Sequence, residues 1–164
     1  MYHVKDFTSF TSDIIALITY SKKIENNWKK EDFKLLDKPD EMLYGAVQDF
    51  QELLFAEGNE KLYDNIIRIS EEMLKNYPDH LQSRLNISTI YIARNDYDKS
   101  LDALQKAEKI DSTNPILLYN IASVYKMKGE KENAKKYFAL TTRNTTQKEE
   151  KLKEAALKQL DLLK

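Results

Sequence analysis

The chain lacks cysteine entirely, so neither disulfide bonds nor thiolate metal ligands are available to it. Glycine and proline are scarce, with three of each among 164 residues, and such a shortage of turn residues argues against a fold built from β-hairpins. The three glycines are Gly45, Gly58 and Gly129. Because they lie far apart, they cannot form a glycine-rich loop that binds phosphate groups.

Groups suited to catalysis or metal binding are equally sparse. The two histidines, His3 and His80, are distant in sequence and have no partners at metal-ligand spacing. Carboxylate pairs such as Glu71-Glu72 fall on helix faces that we expect to be exposed, whereas a catalytic carboxylate needs burial or a charged partner. A cysteine nucleophile is absent and no Ser–His arrangement is visible. The sequence therefore predicts a non-enzymatic protein that needs no cofactor and no metal.

Long hydrophobic runs are also missing. The longest run near the start is Ile14 to Tyr20, flanked by Asp13 and by Lys22-Lys23, and it is too short to span a bilayer. It has neither a basic segment before it nor a small-residue cleavage site after it, so it is a poor signal peptide. We expect a soluble protein without membrane contact, cytoplasmic if Met1 is the native start.

Charged residues make up 32% of the chain and hydrophobic residues 41%, as in ordinary helix-rich soluble proteins. The net charge is only −1, but residues 126–164 hold 11 Lys/Arg against 6 Asp/Glu. We interpret this basic end as the solvated face of terminal helices; contact with an acidic partner is the alternative. Aromatic residues are poorly interleaved with the basic ones, so no nucleic-acid partner is expected.

A repeat of 34 residues organises the middle of the chain. The three blocks are residues 47–80, 81–114 and 115–148. Their alignment places Leu53, Ile87 and Ile121 at one register, and Tyr63-Asp64 matches Tyr97-Asp98. A period of this length is typical of one supersecondary unit stacked on copies of itself.

Each block has the pattern of two helices. In the third block, Leu118, Ile121, Ala122 and Tyr125 follow the spacing of one helix face. Left-handed residues are predicted at the ends of the first helices, at Gly58, Asn95 and Gly129. The second helix of the middle pair is predicted to start at Asp96-Tyr97-Asp98, and the third pair at Pro115, after capping oxygens from Ser112, Thr113 and Asn114.

These residues resemble the tetratricopeptide repeat family over about Val47 to Gln147. The third block carries the pattern best, as Leu118-x2-Ile121-Ala122-x2-Tyr125 followed by Ala134-x3-Phe138. The second block has Ile87-Ser88-x2-Tyr91 and Ser100-x3-Leu104 but places Arg84 where the family favours an apolar residue; the first block is degenerate. The resemblance implies an all-α fold, a right-handed α-α superhelix of the tetratricopeptide solenoid type.

Residues outside the repeats are predicted to be helical as well. Residues 1–46 form an N-terminal helical extension, in which Ser12-Asp13 caps a helix that runs to about Trp28. A helix starting near Asp40-Glu41 is expected to exceed the usual length of a first repeat helix. Residues 149–164 form a C-terminal capping helix, because the last repeat otherwise exposes an apolar face.

The resemblance also implies where binding happens: the concave wall, made by the first helix of each pair, binds a peptide or protein segment. The predicted wall residues are Gln51, Phe55, Leu85, Thr89, Ile92, Tyr119, Ser123 and Lys126. The alternative is that the N-terminal segment, Tyr2 to Leu36, folds back and fills this wall. Both interpretations stay open at the level of the sequence.

Three functional interpretations follow. The first is a non-enzymatic interaction module or scaffold with a protein or peptide partner. The second is a secretion chaperone, since type III secretion chaperones resemble the chain in size and in having three such repeats. The third is a domain that self-associates through its N-terminal helix. A clamp for the carboxylate of heat-shock chaperones is disfavoured, because its matching positions hold Gln51, Phe55, Asn86, Ile116 and Asn120 without a cation.

Overall fold

The computed structural model of the chain describes residues 7–27 and 39–163, and these residues are almost entirely helical. The helices are α1 Phe7–Asn27, α2 Pro39–Ala56, α3 Tyr63–Asn76, α4 Leu81–Ala93, α5 Tyr97–Glu108, α6 Pro115–Met127, α7 Lys131–Asn144 and α8 Glu150–Leu162. Short 3-10 turns at Glu60–Leu62 and Gln147–Glu149 precede α3 and α8. No strand occurs within the described ranges, and the predicted all-α class is confirmed.

The helix starts of the second unit follow the predicted capping chemistry. The Asp96 side chain accepts a hydrogen bond from the Lys99 backbone N–H (3.2 Å) and begins α5. Asn114 does the same for Leu117 (3.1 Å) at the start of α6, and Pro115 occupies the first turn. Each cap satisfies one of the backbone donors that a helix start leaves without a partner.

The predicted left-handed residues end the first helix of each pair. The backbone φ angle is +60° at Gly58, +58° at Asn95 and +78° at Gly129. Glycine adopts this conformation without strain, and asparagine tolerates it better than most residues do. The three positions turn the chain between α2 and α3, α4 and α5, and α6 and α7.

The predicted start of the N-terminal helix is wrong. The helix α1 begins at Phe7, and Ser12 lies inside it, where its hydroxyl donates to the Thr8 carbonyl (3.1 Å). Thr11 likewise donates to the Phe7 carbonyl (2.6 Å). Hydroxyl groups that bond back four residues act within a helix, so a Ser-Asp pair alone does not mark its start. Trp28, the predicted end of this helix, lies outside the described residues.

The chain divides into two compact units, the first ending at Ser83 and the second beginning at Arg84. In the first unit, α1 packs on α2 and α3. The Thr19 hydroxyl of α1 donates to Glu72 of α3 (2.8 Å), and the rings of Phe10 and Phe50 lie 6.1 Å apart. The helix α2 has 18 residues against 13 in α6, so the expectation of a lengthened first helix is confirmed.

In the second unit, small residues allow close crossings of paired helices. The buried hydroxyls of Ser88 and Ser100 lie 2.7 Å apart between α4 and α5. The buried core between α6 and α7 contains Ala122, Ala134 and Phe138. Ala156 and Leu163, from α8 and the residue after it, complete this core. A terminal helix thus covers the apolar face that the last pair would otherwise expose, as predicted for a cap.

Among the described residues, no helix combines the length and the apolar character needed to cross a bilayer.

Candidate functional site

Gln51, Leu85 and Tyr119 share a repeat register, but the structure places the first two in the interior. Gln51 is only 2% exposed, and its amide donates to the Ser70 hydroxyl (2.8 Å) and to the Ile66 carbonyl (3.3 Å). Leu85 is 8% exposed. Their assignment to an open binding wall is corrected, because a buried side chain has no surface left to offer a peptide.

Tyr119 occupies the same register but stays half-buried. Its ring packs edge-on against the ring of Phe138 on α7, with the centroids 5.3 Å apart. This contact corresponds to the Gln51–Ser70 hydrogen bond of the first pair, since both positions shift by 68 residues, or two repeats of 34. In these two pairs the register therefore points toward the second helix, and of the three side chains only Tyr119 is not buried.

The next register contains Phe55, Thr89 and Ser123, of which Thr89 is exposed and the other two are half-buried. The Thr89 hydroxyl donates to the Leu85 carbonyl (3.0 Å) and the Ser123 hydroxyl to the Tyr119 carbonyl (2.9 Å). Both hydroxyl protons are thus used within the helix. What these side chains offer a ligand is a methyl group or an oxygen lone pair.

Ile92 and Lys126 share the third predicted register. Ile92 is half-buried and Lys126 is exposed. The Lys126 ammonium donates to Gln159 Oε1 at 2.6 Å, which links α6 to α8. The capping helix therefore contributes a polar group beside the last predicted wall residue.

Three of the predicted residues meet in one cavity of about 340 Å³, which we name the terminal pocket. It is lined by Tyr119, Ser123, Lys126, Met127, Phe138 and Gln159. Phe138 is 1% exposed and belongs to the buried core, whereas Met127 is 50% exposed. The lining thus has an apolar part, with the contacting rings of Tyr119 and Phe138 and the Met127 side chain, and a polar part, with the ammonium and the amide of the Lys126–Gln159 hydrogen bond.

Sequence reasoning missed Met127, Phe138 and Gln159 as pocket residues. Phe138 carries a repeat signal, but that signal indicates packing and does not show that one ring edge borders a cavity. Met127 ends α6, one residue after Lys126. Gln159 had no signal, because the register of α8 against α6 depends on how Ala156 and Leu163 pack in the core.

Other cavities lie in the first unit. One of about 360 Å³ is lined in part by Lys22, Tyr44, Tyr77 and His80, with the Lys22 ammonium 4.7 Å from the centre of the Tyr77 ring. A smaller one of about 230 Å³ is wholly apolar and is lined by Phe7, Phe10, Phe50 and Leu53. Within the described residues, no three His, Asp or Glu side chains come together as metal ligands would.

Part of the chain is similar to tetratricopeptide repeat proteins. The family model described as TPR repeat matches residues 89–129, so the resemblance to tetratricopeptide repeats is confirmed there. No curated protein matches the chain significantly.

Solved structures of similar fold are all-helical chaperones at low sequence identity. The type III secretion chaperone SycD of Yersinia enterocolitica, in complex with a peptide of the translocator YopD, is 14% identical with a TM-score of 0.62 and covers 73% of this chain and 92% of its own. PcrH, in complex with the chaperone binding region of PopD, is 14% identical with a TM-score of 0.67 and covers 78% and 96%. A further structure of SycD, the type III secretion translocator chaperone of Yersinia enterocolitica, is 13% identical with a TM-score of 0.64 and covers 83% of this chain and 93% of its own. The chain therefore has the predicted tetratricopeptide-like solenoid fold.

Proposed function

We propose that the chain is a non-enzymatic binding module of the secretion-chaperone type, which holds an extended segment of a partner protein against the first helices of its pairs. The observation that carries this proposal is the terminal pocket. It is a concave site on α6, at the predicted wall positions Tyr119, Ser123 and Lys126, and it combines apolar surface with polar groups. Such a combination suits a peptide, whose side chains fill pockets while its backbone needs hydrogen-bond partners.

The fold comparison supports the same proposal. Two neighbours of similar fold were solved with a bound segment of another protein, a YopD peptide for SycD and the chaperone binding region of PopD for PcrH. The chain covers nearly the whole length of both neighbours. We therefore propose that the partner of this chain is a protein with a chaperone-binding segment of this kind, as YopD and PopD are for their chaperones.

The proposed contact residues are those predicted wall positions that retain exposed surface. In the second unit they are Thr89, Ile92, Tyr119, Ser123 and Lys126, joined by Met127. In the first unit Phe55 is proposed on the same grounds of register and partial exposure. Gln51 and Leu85 are left out because both are buried.

The experiment has two steps. Proteins captured by the tagged chain in a lysate of its source are identified, and the segment bound by the chain is then synthesised and titrated against it. Tyr119→Lys places a charge in the apolar part of the terminal pocket and is expected to abolish binding while helicity is preserved. The matched control is Tyr97→Lys, at a half-buried tyrosine of α5 that is outside the terminal pocket. Unchanged affinity of Tyr119→Lys would refute the proposal.

A second candidate is self-association through α1. Phe10, Leu17 and Tyr20 are 58%, 43% and 63% exposed, and their spacing of seven and three residues puts them on one side of the helix. An apolar stripe that the other described residues leave exposed is a surface that a second copy could bury. Analytical ultracentrifugation across a range of concentrations tests it: Leu17→Lys should abolish any dimer, and a wild-type chain that stays monomeric would eliminate this candidate.

A further inference from the structure

We infer that the terminal pocket selects a segment in which a large aliphatic residue and an acidic residue are separated by one other residue. This inference rests on the proposed function and adds the chemistry of the partner. It concerns only the second unit, since every lining residue belongs to α6, α7 or α8.

The apolar half of the pocket fits one aliphatic side chain. Its wall consists of the Tyr119 and Phe138 rings, which are in edge-on contact, and Met127 lies at its exposed edge. Methionine has three rotatable bonds and adapts its shape to an incoming apolar group. Burial of a leucine or isoleucine side chain here would also cover the half-exposed Met127.

The polar half of the pocket mostly offers hydrogen-bond donors. The Lys126 ammonium donates one of its three N–H groups to Gln159 Oε1. Its other two N–H groups and the two of the Gln159 amide can donate to a ligand. An occupant must therefore supply acceptors at this point. A carboxylate supplies several and pairs with the ammonium in a charge-assisted hydrogen bond.

Lys126 and Lys128 differ in the charge of their partners. Lys128 lies 2.6 Å from Asp98 and 3.1 Å from Glu130. Among the described residues, the partner of Lys126 is instead a neutral amide. The surrounding residues 126–164 carry 11 Lys/Arg against 6 Asp/Glu, so the local field also favours an anionic group.

The spacing of the aliphatic and acidic residues follows from the geometry of an extended peptide. The ammonium and the apolar wall line the same cavity of about 340 Å³, so both side chains must point to the same side of the peptide. Neighbouring side chains of an extended peptide point in opposite directions, whereas side chains two residues apart point the same way and lie about 7 Å from each other. One residue therefore separates the aliphatic residue from the acidic one, whose carboxylate reaches the exposed Lys126.

The test uses three acetylated and amidated hexapeptides with the sequences Gly-Leu-Ser-Glu-Ser-Gly, Gly-Leu-Ser-Gln-Ser-Gly and Gly-Ala-Ser-Glu-Ser-Gly. Binding is followed by NMR on the full chain labelled at its methionine methyl groups, with the Met127 signal assigned from Met127→Leu. The peptide that contains Leu and Glu is expected to shift the Met127 signal with the lowest Kd. Replacing Glu by Gln should raise Kd about fivefold, the size of an exposed ion pair, and the peptide in which Ala replaces Leu should bind more weakly still.

Lys126→Gln should remove the preference for Glu over Gln. The control Lys128→Gln changes the charge equally two residues away and should retain that preference, because Lys128 is occupied by Asp98 and Glu130. Equal Kd values for the Glu and Gln peptides, or equal effects of the two lysine variants, would overturn the inference. So would the absence of any Met127 shift at the highest soluble peptide concentration. If that absence coincides with partner binding that Tyr119→Lys abolishes, the inference fails while the proposed function stands.

Discussion

The side-chain hydroxyls of Ser88 and Ser100 form a hydrogen bond where α4 crosses α5, with their oxygens 2.7 Å apart. Both side chains are buried. The residues 34 positions later are Ala122 and Ala134, which are also buried. The middle pair thus keeps the close approach of its helices with two small polar residues that satisfy one another. In the first pair the same positions hold Leu54 and Ile66, which are buried as well.

The serine pair should show strong coupling in a double-mutant cycle. Ser88→Ala or Ser100→Ala alone leaves a buried hydroxyl without its partner, and each should lower the free energy of unfolding by about 1–3 kcal/mol. The double variant should cost less than the sum, because both polar groups leave together. Urea denaturation measures all four proteins, with exposed Ser112→Ala as the control. Additive losses would show that the bond is energetically unimportant.

Overpacking the next crossing should destabilise the last pair. Ala122 is fully buried within the core formed by α6, α7 and α8, so Ala122→Trp should reduce the free energy of unfolding by about 1–3 kcal/mol. Thermal and urea denaturation report the loss. Ala93→Trp, at an exposed position near the end of α4, should have little effect, and equal stability of the two variants would contradict the packing described for this core.

Gln51 should prove to be a stability residue and not a binding residue. Gln51→Ala removes the hydrogen bonds to Ser70 and to the Ile66 carbonyl, at a cost of about 1–3 kcal/mol in the free energy of unfolding. Partner affinity of the folded fraction should stay unchanged. The exposed Gln48, which donates to Glu52 on the same helix, provides the control Gln48→Ala, with little effect expected. A selective loss of affinity in Gln51→Ala would restore the original wall assignment.

Stability should fall in acid in part through His80. The Nδ1 atom of His80 accepts from the Ser83 backbone N–H (3.3 Å) and lies 2.8 Å from the Ser83 hydroxyl, so the neutral ring caps the start of α4. Burial lowers the pKa of His80 below its ordinary value of 6.5. The unfolded chain therefore binds the proton more readily, and this contribution to stability is complete above pH 6.5 and is lost as pH falls from there to the folded pKa.

The variant His80→Asn isolates this effect, since asparagine also accepts the capping hydrogen bond but does not titrate. Lys22 and Asp79 line the same cavity as His80 and are unchanged in the variant. Unfolding free energies measured between pH 5 and 8 should decrease more steeply in the wild type than in His80→Asn on the acid side. Parallel curves would exclude a role for this imidazole.

Local chemistry allowed much of the fold to be predicted from the sequence. The turns at Gly58, Asn95 and Gly129 and the caps at Asp96 and Asn114 each depend on residues within a few positions of one another. These signals are strong because few residue types satisfy the backbone there. The predicted start of α1 was wrong for the opposite reason. A serine hydroxyl can cap the start of a helix, but within a helix it can equally donate to the carbonyl four residues earlier, as Ser12 does.

The site was only partly predictable because exposure depends on side chains from other helices. The repeat register places Gln51, Leu85 and Tyr119 at equivalent positions, yet their burial differs with the size and chemistry of each side chain. Gln51 finds two acceptors on α3, whereas Tyr119 meets the ring of Phe138. Periodicity shows which helix face a residue occupies, and it does not show how much of that face stays open.

The capping helix has two roles at once, because Ala156 fills the core while Gln159 borders the pocket. A ligand that touches both Lys126 and Gln159 would bind only the form in which α8 is docked. Ligand binding would therefore slow amide hydrogen exchange along α8. By reciprocity, undocking of α8 would lower the ligand affinity by the same coupling free energy. The end of the chain is in this way thermodynamically linked to the partner, although α8 contains none of the repeat residues.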